Sequence, residues 1–278
     1  MKINVGGARG GRTVSGAAFS AFGGDTTCFL VEGEAGERIV VDGGSGLMHF
    51  SDSLLKPGPL LFLFSHYHLD HLAGFVPFAA RLDGRADYAV WGPQRNGVGP
   101  VQALSVLLGE PYWPVGLSKS QLTPISRALD PYNGMKAATF GNLQVRWCDV
   151  AHPGGSLALR IDECSTEKSV VIATDMEWGL CTAEQKQRLR SLCSEASPVD
   201  VLIMDAQYAD DEYEAHRGWG HSTWQEATAL AEACEVADLR ITHHGPDNDD
   251  NNLRAREAAM QAVMPTATFL CANDRIEL

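Results

Sequence analysis

The segment Ser65-His66-Tyr67-His68-Leu69-Asp70-His71 gathers three imidazoles and one carboxylate at one point of the chain. Neutral imidazole nitrogens and carboxylate oxygens are the donors that zinc and similar borderline cations prefer. Alternate residues of an extended segment share a face, so His66 and His68 can grip one ion while Asp70 and His71 turn toward a second. A pair of ions about 3.5–4 Å apart can share a hydroxide and clamp the oxygens of a displacement reaction. The segment follows Leu60–Phe64, the longest apolar run in the chain. That run reads as a buried strand able to hold the start of the loop rigidly. An incidental polar loop would not need so many donors at one strand end.

His66, His68, Asp70 and His71 match, residue for residue, the signature of the metallo-β-lactamase superfamily, and the chain resembles that family along most of its length. The resemblance implies an α/β fold: an αββα sandwich of two mixed β-sheets packed face to face, with helices outside. It also implies an order of further ligands. A lone histidine comes next, matched by His152 in Ala151-His152-Pro153-Gly154-Gly155; then an aspartate ending a strand, matched by Asp175 after Val170–Thr174; then a final histidine, matched by His243. Taken alone, His152 would be an ordinary loop residue before proline, and Asp175 a turn cap. His244 is the neighbouring alternative to His243 and is expected to support the site from behind. Upstream, Asp42 in Val40–Gly46 is expected to support the ligands, although it could simply begin a Gly-Gly turn. On this pattern His66, His68 and His152 bind a first ion, Asp70, His71 and His243 bind a second, and Asp175 bridges both. The implied cofactors are two divalent metal ions, zinc first, with manganese or iron as alternatives.

Gly220-His221-Ser222-Thr223 resembles the His-Ser-Thr segment of ribonuclease Z and related phosphodiesterases. The resemblance places His221 near the leaving group as a proton donor, with Asp205 orienting it. Asp70, His221 and Asp205 are therefore the expected catalytic residues. Expelling an alkoxide from a phosphodiester is slow without protonation, so such an acid makes chemical sense. The competing reading of His221 is a helix-entry residue beside Trp219 and Trp224. Gly23–Cys28 and the Thr-His-His-Gly-Pro segment, near Asp249 and Asp250, also resemble this branch. Arg9 and Arg12 lie in a Gly-rich stretch, Gly6–Arg12, where no GxGxxG opens a helix, so a flexible loop is expected there.

The chain departs from ribonuclease Z in one respect. That enzyme holds precursor transfer RNA with a long arm between the lone histidine and the bridging aspartate. Here 22 residues (153 to 174) lie between His152 and Asp175, room for two strands and no arm. The expected activity is a metal-dependent phosphodiesterase cleaving a small phosphodiester, a cyclic nucleotide or similar, with the shared hydroxide as nucleophile. Two alternatives remain: a glyoxalase-type thioester hydrolase, which shares the ligands without needing His221, and a non-catalytic metal-binding signalling module. A flavin-linked oxygen reductase would require a flavodoxin-like domain for which there is no room.

The formal net charge of −13, with no basic run, disfavours a long nucleic acid as partner, because phosphate contacts dominate that affinity. No stretch approaches the roughly 18–20 apolar residues of a membrane helix, so no membrane partner is expected. Met1-Lys2-Ile3-Asn4 lacks the charged-then-apolar pattern of a signal peptide, and seven scattered cysteines without a CxxC pair read as reduced, mostly buried thiols. Both point to the cytoplasm. The family resemblance further suggests a homodimer.

The elements that must position these residues are short. Strands are expected over Thr26–Glu32, Arg38–Asp42, Leu60–Ser65, Asp87–Trp91, Leu143–Val150, Ser156–Ile161, Ser169–Thr174, Val201–Asp205, Leu239–Thr242 and Ala267–Leu270. Helices are expected over Gly46–Leu55, Ala73–Arg81, Pro100–Leu108, Thr182–Cys193, Thr223–Cys234 and Asn252–Gln261, with Ser222 and Gln225 forming a capping box. No repeat or linker divides the chain, so residues 1–278 read as one domain, with an irregular insertion around 92–132. Its Tyr112 and Trp113 are expected to pack on the surface, with a cover over the substrate or a dimer contact as the alternatives.

Overall fold

The computed structural model describes residues 1–278 except 83–87, 115–117, 136 and 196. The first sheet is built from β1 (Lys2–Gly7), β2 (Cys28–Glu32), β3 (Arg38–Val41), β4 (Leu60–Leu63), β5 (Tyr88–Pro93) and β6 (Ser126–Leu129). The second contains β7 (Ala138–Phe140), β8 (Leu143–Val150), β9 (Ser156–Glu163), β10 (Lys168–Ala173), β11 (Val201–Asp205), β12 (Leu239–Thr242) and β13 (Thr268–Phe269). The chain then returns to the first sheet as β14 (Arg275–Glu277), giving the orders β14-β1-β2-β3-β4-β5-β6 and β13-β12-β11-β10-β9-β8-β7. Both sheets are mixed. β3, β4, β5 and β6 run parallel, as do β10, β11, β12 and β13, while β1, β2, β8 and β9 pair antiparallel with their neighbours.

Period-two alternation makes the sandwich. In β4, Leu61 and Leu63 face the second sheet, while Leu60 and Phe62 face the helices outside. In β10, Val170 and Ile172 point inward and Val171 and Ala173 outward; Val201 and Ile203 of β11 and its Leu202 and Met204 divide the same way. These strands are fully buried because helices cover the sheet they belong to. Burying each such leucine or phenylalanine contributes about 1.5–3 kcal/mol. On the first sheet's outer face lie α1 (Ser51–Leu54), α2 (Phe75–Ala79), α3 (Pro100–Leu107) and α4 (Lys119–Ile125), which contribute Leu54, Phe75, Phe78, Leu104 and Leu122 to one apolar cluster. On the second sheet's side, α5 (Ala183–Ser194), α7 (Trp224–Ala233) and α8 (Asp250–Gln261) contribute Leu189, Leu192, Leu230, Leu253 and Met260. A further helix, α6 (Asp210–His216), buries no residue and spans the connection between β11 and α7. The layer order is helix, sheet, sheet, helix, as expected.

Several local expectations shift. Gly46–Leu55 is a 3-10 turn (Ser45–Phe50) leading into α1, and Ala73–Arg81 shortens to α2 followed by a 3-10 turn (Ala80–Leu82). The cap of α7 is Thr223, whose hydroxyl accepts from the Glu226 N–H; the Ser222 hydroxyl instead donates to the Met176 carbonyl. Ser222 is thus spent on the neighbouring loop, and the capping box moves on by one residue. Asp87, expected to begin a strand, lies outside the described residues, and β5 starts at Tyr88. The stretch 92–132 is more regular than expected: besides α3 it holds α4 and the edge strand β6. Among the described residues, no helix is long and apolar enough to cross a membrane.

Candidate metal centre and active site

Strand ends from both sheets deliver the chemistry to one edge of the sandwich. β3 runs into Asp42 and β4 into Ser65–His71; β8 runs into His152, β10 into Asp175, β11 ends on Asp205 and β12 runs into His243. Because β3 lies parallel to β4, and β10, β11 and β12 lie parallel to one another, their carboxyl ends open together. At three of these exits the backbone takes the left-handed conformation at a residue other than glycine: Asp42 (φ 58°), Asp175 (φ 51°) and His243 (φ 60°). Such backbones are uncommon outside glycine, with Asp and His among the residues that adopt them most readily, and they cluster at functional sites.

Two four-membered groups of donors result. His66, His68, His152 and Asp175 form one, and Asp70, His71, Asp175 and His243 form the other, the donor atoms of each lying within 4.8 Å of one another; Asp205, His221 and His243 make a third, smaller group on the same criterion. Asp175 gives one oxygen to each of the two larger groups. Its Oδ1 is 3.0 Å from His71 Nε2 and 3.2 Å from His243 Nε2, while its Oδ2 is 3.6 Å from both His66 Nε2 and His152 Nε2. Asp70 Oδ2 stands 3.4 Å from His71 Nε2 and from His243 Nε2.

The rings are oriented from behind. His71 Nδ1 donates to Asp42 Oδ2 at 2.8 Å, His152 Nδ1 to the Gly220 carbonyl at 2.9 Å, and His243 Nδ1 to Gln207 Oε1 at 3.1 Å. Ser65 donates to Asp42 and sits 3.0 Å from His66 Nδ1. Each bond commits Nδ1 and turns Nε2 inward, the arrangement expected of metal-ligating histidines; the Nε2 of His152 meets His68 Nδ1 there at 3.1 Å. The Nε2 atoms of His66, His71 and His243 are buried with no hydrogen-bond partner. Orphaned buried nitrogens are costly unless something binds them, and three converging on shared carboxylates fit a cation.

Charge follows the same division. Burial pushes the imidazoles of His66 and His68 below their ordinary value, and that of His152 down to about 4, so this group holds neutral donors. At His71 and His243 burial acts in the same direction, but Asp175 and the other carboxylates around them outweigh it. His71 is raised, and His243 reaches about 9. Asp70 and Asp175 lie below the usual carboxylate range, because these histidines outweigh the burial that would raise them.

His221 lies beside this cluster, its ring stacked on His243 with centroids 4.6 Å apart. Its Nδ1 is 2.6 Å from Asp205 Oδ2. Asp205 is fully buried and held in turn by the N–H groups of Met176 and Gln207.

A family model described as a beta-lactamase superfamily domain matches residues 37–244, which hold every donor described above. The chain belongs to the metallo-β-lactamase superfamily. It carries a histidine–aspartate cluster suited to metal. A curated ribonuclease Z from Exiguobacterium sp. (strain ATCC BAA-1283 / AT1b) is 46% identical over 82 residues, 30% of this chain and 26% of that protein. The chain thus matches about a quarter of that relative's length. Among solved structures, the metallo-beta-lactamase fold protein YhfI from Bacillus subtilis superposes with a TM-score of 0.71 at 18% identity, covering 100% of this chain and 98% of that one. The human tRNase Z, short form, gives 0.70 at 17% identity, covering 100% and 99%.

Against this superfamily framework three expectations need correction. His244 does not support the donors: its Nε2 donates to the Leu270 carbonyl at 2.7 Å, and its ring stacks on Phe269 in the outer core. The Gly-rich stretch is no flexible loop. Arg9 is buried and donates to the carbonyls of Gly23, Gly245 and Asn248, although Arg12 remains exposed and pairs with Asp247. A Cβ at Gly10 would lie 2.2 Å from the His243 ring, and the Gly11 N–H donates to Asp70 Oδ2 at 2.7 Å. Lastly, the insertion reaches the site through Pro93, Arg95, Asn96 and Val98, not through Tyr112, which is 66% exposed, or Trp113.

Two clefts flank the donors. One, of about 250 Å³, lies over His66 and His68 between Arg95 and Gly154–Gly155. The other, of about 360 Å³, lies over His221 and is lined by Gln207, Tyr208, His216, Trp219 and Arg256. The roles of Gln207, Gly11, Gly220 and Arg95 escaped the sequence reading, since three of them act through an amide or the backbone and neither Gln207 nor Arg95 sits in a ligand-like pattern. The glycines beside His221 and Arg9 were the available signal, because backbone that must approach another group closely favours glycine.

Proposed function

We propose that the protein is a phosphodiesterase acting on a small phosphodiester, a cyclic nucleotide or similar, and that it works with two divalent ions, zinc the first candidate. His66, His68 and His152 would hold one ion, Asp70, His71 and His243 the other, and Asp175 both. When bound, such ions supply Lewis acidity at the phosphoryl oxygens and activate water.

The observation that carries this reading is His221 anchored on buried Asp205 beside both donor groups. Asp205 fixes the ring through Nδ1 and leaves Nε2 as the nitrogen available to the leaving oxygen. A thioester, whose leaving thiolate is stable, has little need of that proton donor. Asp70, held by the Gly11 N–H, keeps its carboxylate turned toward the reacting face and is the third residue assigned to catalysis. The segment between His152 and Asp175 is the hairpin of β9 and β10 with no protruding arm. Together with the acidic charge, this favours a small diester over transfer RNA.

The test is hydrolysis of bis-p-nitrophenyl phosphate by metal-analysed protein, wild type beside His221→Ala. Positioned acids contribute roughly 10²–10⁴-fold. The variant should retain its metal and lose activity within that range, less for this good leaving group than for an alkyl diester. No turnover of any diester by protein carrying two ions, with turnover of S-lactoylglutathione, would overturn the proposal in favour of a thioesterase.

A further inference from the structure

Trp219 stands out among the exposed apolar residues. Its side chain is 62% exposed, yet the turn that carries it is firmly held. Buried Glu177 accepts the N–H groups of Gly218 and Gly220 at 2.8 Å each, and the Tyr213 hydroxyl at 2.8 Å as well. Gly218 (φ 89°) and Gly220 (φ 96°) both need positive φ, and a Cβ at Gly220 would lie 2.3 Å from His152 Nδ1. The same turn therefore orients a metal-donor histidine through the Gly220 carbonyl and presents an indole to solvent.

The indole continues a row of rings leading away from the proton donor. The Tyr208 ring centroid lies 6.2 Å from that of His221, His216 stacks on Tyr208 at 4.4 Å, and Trp219 meets His216 edge-on at 5.1 Å. This row forms one wall of the cleft over His221, and Arg256, Asn248 and Asp247 stand among its polar lining. A large aromatic surface left open on a rigid support, bordered by hydrogen-bonding groups, suits a flat heteroaromatic ring. Bases stack on aromatic side chains with little dependence on sequence.

We infer that the Trp219 cleft is the subsite for the leaving alcohol and that this alcohol carries a nucleobase, so that the substrates are diesters releasing a nucleoside or nucleotide hydroxyl on the His221 side. The inference rests on the phosphodiesterase reading for the reaction, but the subsite can be tested apart from it. Water adds to phosphorus and gives up a proton to solvent, the bond from phosphorus to the nucleoside oxygen breaks, and that oxygen takes a proton from His221 as the nucleoside departs, His221 being reprotonated from solvent.

The experiment uses metal-loaded protein and two substrates, the thymidine dinucleotide joined 3′ to 5′ and diethyl phosphate, an ethyl ester that carries no nucleobase on either side. Thymidine binding is measured alongside by calorimetry, for wild type, Trp219→Ala and Trp219→Phe. Trp219→Ala should lose about tenfold or more in kcat/KM on the dinucleotide relative to its loss on the ethyl ester, through KM, and should bind thymidine about tenfold more weakly. Trp219→Phe should keep most of both, and metal content should not change. Equal losses on the two esters with unaltered thymidine binding would overturn the inference and leave the phosphodiesterase reading standing. If no diester is turned over, that reading falls; thymidine binding that depends on Trp219 would still support the subsite, and its absence would remove the subsite too.

Discussion

The two clefts beside the donor cluster are built to different plans. On the His68 side the walls mix Pro93, Val98, Gly154 and Gly155 with Tyr67, Asn96 and one guanidinium, Arg95, tied to Asp149 and the Ser156 carbonyl. On the His221 side the wall is a row of aromatic rings beside a proton donor. A symmetric pair of ions could act on a diester in either orientation. On the proposed phosphodiesterase reading, the asymmetry of the walls would supply a direction, with the departing group toward the rings and the retained phosphoryl group toward Arg95.

The largest expected effect comes from removing the centre that both clefts share. His68→Ala should lose bound metal, read by elemental analysis, and more than about 10³-fold of kcat/KM on every diester, without discriminating one side from the other. Wild-type metal content and activity in that variant would sink the ligand assignment. His221→Ala, described above, should sharpen the contrast: metal stays, and the loss grows as the leaving alcohol becomes more basic. Arg95→Ala should be milder, raising KM about tenfold for all diesters irrespective of leaving group. A loss that tracked the leaving group would reverse the orientation drawn here. Its unfolding midpoint should be followed too, because among the described residues Asp149 would keep Gln185 alone as a side-chain hydrogen-bond partner. Smallest of all, Tyr112→Ala with Trp113→Ala should leave KM within about twofold of wild type, as expected of surface positions away from the clefts. A larger change would restore the idea that this segment covers the substrate.

The donor cluster was legible because a buried strand, Leu60–Leu63, is followed by four of its members within six residues, and because the family's order picks out His152, Asp175 and His243 at later strand ends. The two-sheet sandwich was legible for the same reason. What escaped notice depends on partners distant in sequence. β1 holds only Ile3 and Val5 before a run of glycines, and β14 is three residues long, so each becomes a strand chiefly by pairing with the other and with β2. α6 reads Asp-Asp-Glu-Tyr-Glu-Ala-His and buries nothing, so no periodicity announced it. Arg9 looked like a loop cation because nothing local shows the three carbonyls, from residues 23, 245 and 248, that surround its guanidinium. His244 looked interchangeable with His243, yet consecutive residues leaving a strand point to opposite sides, and only one of them could face the donors.

The left-handed backbones at Asp42, Asp175 and His243 set the chain's stability against its use. At each position glycine would relieve a local conformational cost on the order of 1–2 kcal/mol, and each such exchange would also delete the carboxylate or imidazole that the strand end was bent to present. Selection or engineering for heat resistance alone would therefore tend to erode these three positions first. Their persistence in a population of variants would report that the activity, and not merely the fold, is being retained.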